Sequence, residues 1–121
     1  MICPCGGVPE GAALDACCGP LLARQRFAES PEELMRSRYT AFVVGDGDHL
    51  FRTWHPSTRP DDLDVAPDPG WRGLRIIDAP EPTEHHGEVE FEAVHDRHPM
   101  HERSRFEKRA NRWFYVDGDV S

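Results

Sequence analysis

Beyond residue 70 the chain alternates. Val89, Phe91 and Ala93 are separated by Glu88, Glu90 and Glu92, the two-residue period of a strand with one buried face. Trp71 to Asp78, Met100 to Glu107 and Arg112 to Asp117 read as three further strands, the last two joined by a tight turn at Ala110-Asn111. Earlier in the chain the period is helical. Leu34, Met35, Tyr39, Phe42 and Val43 recur at the spacing of one helix face within residues 30 to 55. Ser30 is the expected N-cap, with Pro31 at the first helical position and Glu33 completing a capping box. Gly45 is the expected stop. Asp46 or Asp48 then caps a short second helix that carries Leu50, Phe51 and Trp54 and ends at Pro56. Residues 56 to 70 hold Pro56, Pro60, Pro67 and Pro69 and read as an extended connection. Helices followed by antiparallel strands predict an α+β domain.

Residues 1 to 26 fit neither period. They hold all four cysteines, Cys3, Cys5, Cys17 and Cys18, and little apolar content beyond Leu14, Leu21 and Leu22. Such a segment needs a staple to order itself. Four thiolates suit a tetrahedral zinc ion with sulfur about 2.3 Å from the metal. Cys-Pro-Cys-Gly offers two of them on a tight turn, Gly6 and Gly7 let that turn form, and Cys17-Cys18 closes the site from the other side. A site with four thiolates leaves no open position for water, so the expected metal is structural rather than catalytic. Redox chemistry is the competing reading, because a vicinal pair can form a strained disulfide.

Composition narrows the setting. A length of 121 residues suits one domain with a small appendage, here divided as residues 1–26 and 27–121. The formal net charge of -8 gives no nucleic-acid footprint, and no apolar run approaches a bilayer span. The N-terminus lacks the basic and apolar regions of a secretory signal, so a cytoplasmic location is expected. Thiols stay reduced there, which favours metal over disulfides.

Several stretches carry a family likeness. Cys-Pro-Cys-Gly with a later Cys-Cys-Gly resembles the SEC-C motif, the zinc-binding tail known from the SecA translocation motor. The spacer of eleven residues between Cys5 and Cys17 is longer than that motif usually has. Leu-Met-Arg-Ser-Arg-Tyr (34 to 39), Thr-Trp-His-Pro-Ser-Thr-Arg-Pro (53 to 60), His-Glu-Arg-Ser-Arg-Phe (101 to 106) and Arg-Trp-Phe-Tyr-Val-Asp-Gly (112 to 118) resemble the bacterial YchJ-like family, whose function is uncharacterised. The resemblance implies a nuclear transport factor two-like (cystatin-like) body. In that fold a curved antiparallel sheet wraps around N-terminal helices, often with a cavity in its cone.

Two periodicities place polar groups inside this body. At 100° per residue, Arg38 lies about 40° from Leu34, within the apolar stripe. Either its stem packs inside while the guanidinium snorkels out, or the buried head needs an anion. On the third strand, His101, Arg103, Arg105 and Glu107 form a wholly polar face. Glu102 and Ser104 therefore point inward with Met100 and Phe106. Arg38, Glu102 and Ser104 are the expected lining of a pocket closed by Trp54 and His55, with Arg38 and Glu102 meeting as an ion pair. On the outer face, Arg103 and Arg105 are expected opposite Glu90 and Glu92. His95, His98 and His101 are spaced like ligands, but Pro99 puts a turn among them, so convergence is not expected. In the last strand Trp113 and Tyr115 face one way and Phe114 and Val116 the other. Both faces are apolar, so a helix, the N-terminal segment or a second subunit must cover one of them.

Two functions remain open. One is a non-enzymatic zinc-binding interaction module whose cysteine segment docks a protein partner. The other is a small enzyme, an isomerase, dehydratase or hydrolase, that uses the cone pocket.

Overall fold

A computed structural model describes residues 1–121. A single-turn 3-10 helix (Leu14–Ala16) and the short α1 (Gly19–Leu22) lie in the cysteine segment. Helices α2 (Pro31–Val44) and α3 (Gly47–Arg52) follow, then strands β1 (Trp71–Asp78), β2 (His86–His95), β3 (Met100–Arg109) and β4 (Arg112–Val120). The strands form one antiparallel meander in chain order. The fold class is α+β.

The helix ends follow local chemistry. Ser30 Oγ accepts from the Glu33 N–H at 3.1 Å, and Pro31 occupies the first turn. The Glu33 carboxylate reaches back to the Glu29 N–H at 2.8 Å rather than to Ser30, and it also holds Arg26. Gly45 ends α2 in the left-handed conformation with φ of 82°. Asp46 caps α3 by accepting from the His49 N–H at 2.9 Å. The connection from 53 to 70 contains no helix or strand of its own, yet Trp54 bridges Tyr115 in parallel fashion at the edge of β4.

Strand parity works as the alternation requires. Val89, Phe91 and Ala93 are buried on β2, and Glu102, Ser104 and Phe106 on β3. Ala110 and Asn111 both take positive φ, the geometry of a two-residue hairpin turn. On the outer face Arg103 binds Glu90 at 3.0 Å and also Glu88 and Asp78. Arg105 departs from expectation. It pairs with Asp117 and Asp119 of β4, while Glu92 faces Arg75 on β1. The reason is register: Asp117 stands directly opposite Arg105.

Helix α2 packs on the inner face of the sheet, contacting β1, β2 and β4. Leu34, Met35 and Tyr39 join Val89, Phe91, Phe106 and Trp113 in one core, and the four cysteines belong to that same cluster. The second apolar face of β4 finds cover within the chain, for the Phe114 ring packs against His55 at 6.2 Å.

Gly45 is where the helix stop can be tested. A Cβ there would lie 2.6 Å from Pro67 on a backbone with φ of 82°. Gly45→Ala should lower unfolding free energy by at least about 1 kcal/mol, because left-handed strain and a steric clash add together. Urea denaturation of the two proteins measures this.

Candidate metal centre and cone cavity

The cysteine segment folds back on itself. The Gly6 N–H donates to the Cys3 carbonyl at 2.9 Å, and the Cys3 N–H donates to the Ala12 carbonyl at the same distance. Cys17 and Cys18 enter from the 3-10 helix and the start of α1. The four Sγ atoms lie within 4.8 Å of one another, and all four residues are buried. Cys5 Sγ is 3.6 Å from Cys3 and from Cys17 and 3.8 Å from Cys18, and Cys17 and Cys18 are 4.0 Å apart. A tetrahedron with metal–sulfur bonds of about 2.3 Å has edges of about 3.8 Å, so the donor set fits a tetrahedral thiolate ion. None of the four is in a disulfide. The Gly7 N–H donates to Cys5 Sγ at 3.4 Å, and Thr40 Oγ1 of α2 lies 3.8 Å from Cys3 Sγ.

The electrostatics ask for a cation. Hydrogen bonds from Cys18 first, then from Gly7, Cys3 and Cys17, hold Cys5 well below the usual thiol range against the cost of burial. Cys18 is pushed up by its bond to Cys5 and by burial, and burial pushes Cys17 up to about 11. A thiolate is thus favoured at Cys5, and ionisation of Cys17 and Cys18 beside it is opposed. A divalent ion removes that opposition, since a coordinated thiol deprotonates outright.

The polar groups of the body gather elsewhere. Arg38 and Glu102 are each 5 % exposed. They share a cavity of about 210 Å³ with Trp54, Ser104 and Tyr115, closed by apolar side chains that include Met35, Phe91 and Phe106. They do not form the expected ion pair. Arg38 Nη1 donates to the Leu50 carbonyl at 2.9 Å and to Thr53 Oγ1 at 2.7 Å. Glu102 Oε2 accepts from Ser104 Oγ at 2.6 Å and from the Tyr115 hydroxyl at 3.0 Å. Tyr115 is the link. Its ring lies 4.5 Å from the Arg38 guanidinium carbon, and Trp54 lies 5.0 Å from it. The cation therefore rests on two aromatic faces, and the anion is held by two hydroxyls. Burial draws Arg38 down to about 10, with Tyr115 and Glu102 opposing that shift, so the guanidinium stays charged at neutral pH. Burial first, then the Glu102 charge, pushes the Tyr115 hydroxyl up. Trp54 Nε1 is buried without a partner.

His55 does not join this cavity. Residues 53 to 55 run beside Tyr115, with backbone bonds from Tyr115 N–H to Thr53 and from His55 N–H to Tyr115. Extended backbone sends neighbouring side chains to opposite sides, so Trp54 turns into the cone and His55 to the other side of β4, where it stays buried against Phe114. There His55 Nδ1 accepts from the Ser57 N–H at 3.0 Å, and Nε2 lies 3.4 Å from Glu107. The histidine series lies along one shallow pocket, with the His95 and His98 rings 6.4 Å apart, but the three do not gather as metal ligands. His95 pairs with Asp68, and His101 pairs with Glu90 and Ser121.

Tyr115, Ser37, Thr40 and His49 are site-lining or site-supporting residues that helix and strand periodicity did not single out. Parity already put Tyr115 on the same face as Trp113. Thr40 lies far round the helix from Leu34, and its burial arises only because the cysteine segment covers that side of α2.

The comparisons with known proteins agree with this geometry. A family model described as "YchJ, middle NTF2-like domain" matches residues 30–118, which leaves out the cysteine segment. A UPF0225 protein of Streptomyces coelicolor is 44% identical over 97% of this chain and 94% of its own length. Another from Polaromonas naphthalenivorans is 44% identical over 97% of this chain and 96% of its own. The solution structure of a SEC-C motif containing protein from Rhodopseudomonas palustris superposes with a TM-score of 0.81, at 37% identity over 98% of both chains. A crystal structure of a SEC-C motif containing protein from Psychrobacter arcticus gives the same score, at 28% identity over 100% of this chain and 83% of that one.

Two measurements check the interior. Tyr115→Phe keeps the ring beneath Arg38 and removes the hydroxyl that Glu102 accepts from. It should cost about 1–3 kcal/mol in urea unfolding, the range for a buried charged acceptor that loses a donor. His49 is buried, and desolvation first, then Arg52 and Arg38, lowers it from 6.5 to about 4. Its folded value lies below its unfolded one. The stability it contributes is therefore complete above about pH 6.5 and declines as pH falls toward 4, by about 2 kcal/mol at pH 5. His49→Gln should flatten the unfolding profile between pH 7 and 5 relative to the parent chain.

Proposed function

The chain belongs to the UPF0225 family of YchJ-like proteins, and from that premise we propose that it is a zinc-stapled interaction module. In this reading Cys3, Cys5, Cys17 and Cys18 form a SEC-C site that holds a structural zinc ion. The ion fixes residues 1–26 against α2 and shapes the surface that a protein partner meets. The observation that carries it is the cluster of four buried sulfurs, all within 4.8 Å of one another, with four of the six separations at 3.6 to 4.0 Å, close to the spacing that zinc–thiolate bonds require. All four ligand positions are taken by sulfur, so the ion would serve structure and leave no place for a reacting water. Zinc supplies charge neutralisation among buried sulfurs. The chain supplies the Gly7 N–H and the Thr40 hydroxyl around them.

A second reading, a small enzyme or ligand-binding domain, is favoured by one observation: the unpartnered Trp54 Nε1 beside a cavity that holds Arg38, Ser104 and Glu102. An acceptor group on a bound molecule would satisfy that donor. Acid–base chemistry would then fall to Glu102 and Tyr115, since His55 points away.

The zinc reading is tested by metal content and by protection. Reduced protein reconstituted with zinc should carry one ion per chain. Cys5→Ser should lose it and raise hydrogen exchange through residues 1–26 and along the α2 turn that holds Arg36 and Thr40. The strands should keep their protection, because their pairing does not involve the segment. A reconstituted protein without metal, or a Cys5→Ser protein with unchanged exchange, refutes the proposal.

A further inference from the structure

A groove of about 440 Å³ opens where the cysteine segment, α3 and the β3–β4 hairpin meet. Six arginines line it, Arg24, Arg26, Arg52, Arg59, Arg109 and Arg112, and no acidic residue does, in a chain whose net charge is -8. Arg24 and Arg52 are tied to Asp48, and Arg26 to Glu33. Arg59, Arg109 and Arg112 have no carboxylate partner. Arg59 lies over the Phe51 ring at 4.1 Å, and Arg112 over Phe27 at 4.7 Å. Between the arginines the groove is apolar, with Leu21, Phe27, Phe51 and Trp113 in its wall, and Phe27 is 59% exposed.

Two features call for hydrogen-bonding groups from outside. His49, only 2% exposed, also lines the groove, and its Nδ1 has no partner. Ser37 Oγ donates its single proton to the Leu34 carbonyl at 2.7 Å, so it accepts from His49 Nε2 at 2.9 Å. The proton of the neutral imidazole is thereby assigned to Nε2, and Nδ1 is left as an acceptor that wants an N–H or O–H. The second feature is the edge of β4. Tyr115 directs its N–H and C=O away from β3, to Thr53 and His55. Trp113, two residues earlier, shares that direction, and no helix, turn or loop backbone group pairs with it. This leaves one unpaired backbone position, at a residue 6% exposed, where a partner's extended backbone can add a pair beside the apolar wall.

We propose that this groove docks an extended acidic peptide segment of a partner protein, one that carries a bulky apolar side chain. Its carboxylates meet Arg59, Arg109 and Arg112, its apolar side chain enters the wall of Phe27 and Phe51, and its backbone completes the edge at Trp113. A peptide supplies carboxylates, an apolar side chain and a pairing backbone together, whereas a nucleotide has no backbone to pair with a strand. The inference rests on the interaction-module reading for its partner class and names the surface which that module presents.

The test uses the full zinc-reconstituted chain and a fluorescein-labelled peptide in which Glu and Asp alternate with Leu and Phe, followed by anisotropy. The peptide should bind, and binding should weaken as salt rises. Arg59→Glu and Arg112→Glu, at a half-buried and an exposed position, should each weaken it at least about tenfold. Arg97→Glu, which alters another arginine that lacks an ion pair but lies outside the groove, should leave it unchanged. No binding by well-folded, zinc-loaded protein overturns the proposal. So does equal weakening by Arg97→Glu, or displacement of the peptide by a nucleoside triphosphate at lower concentration than by unlabelled peptide. Metal content measured on the same sample separates the two readings. Peptide binding through these arginines in a protein that takes up no zinc would leave the groove standing while the zinc reading falls.

Discussion

Helix α2 buries polar side chains at the centre of the protein, and the helix backbone alone does not satisfy them: Ser37 donates its proton to the Leu34 carbonyl and still meets His49 beyond the helix. Ser37, Arg38 and Thr40 are all 5 % exposed or less. A buried hydroxyl or guanidinium without a partner costs several kcal/mol at the upper end of the range. Consecutive residues therefore reach different neighbours. Arg36 donates to the Cys5 carbonyl, Ser37 meets His49 of α3, Arg38 meets Leu50, Thr53 and Tyr115, Tyr39 meets Trp71 of β1, and Thr40 lies against Cys3. The arrangement of cysteine segment, short helix and sheet around α2 is the one that satisfies this row of groups.

The same constraint joins the N-terminal segment to the body. Its thiols belong to the hydrophobic cluster that includes Leu34, Tyr39 and Phe106. The segment has few apolar side chains of its own, so what it offers α2 is sulfur and backbone carbonyls. The sulfurs in turn can share a site as thiolates only beside a cation. The chemistry of the sulfurs at one end and helix packing at the other thus bear on the same few residues.

Much of this was legible in the chain. The strands, the hairpin at Ala110-Asn111, the caps at Ser30 and Asp46 and the inward Glu102 follow from local period and turn chemistry. Those signals travel with the residue and its near neighbours. The partners of Arg38 were not legible. Periodicity gives the direction of a side chain but not what lies across a cavity, and here an aromatic ring stands where a direct ion pair was expected. His55 was misplaced for a related reason. Residues 53 to 55 have no strand pattern of their own and become extended only because β4 offers Tyr115 as a pairing partner. The arginine groove escaped the sequence because its residues come from four separated stretches within an acidic chain.

One detail of β4 sets a further condition on this chain. The pairing with β3 slips between Arg105 and Phe106, so that Phe106 faces Tyr115 while Arg105 faces Asp117, and Val116 is the extra residue. Without that slip, Tyr115 and Asp117 would point the same way. With it, the hydroxyl of Tyr115 reaches Glu102, the carboxylates of Asp117 and Asp119 turn out to Arg105, and Gly118 lies where a Cβ would collide with Glu102. The slip is how β4 accommodates Val116 without reversing its neighbours. Deleting Val116 would make Tyr115 and Asp117 consecutive residues opposite Phe106 and Arg105 and would keep both directions, so what the extra residue adds is a local bend and twist of β4 beside Glu102.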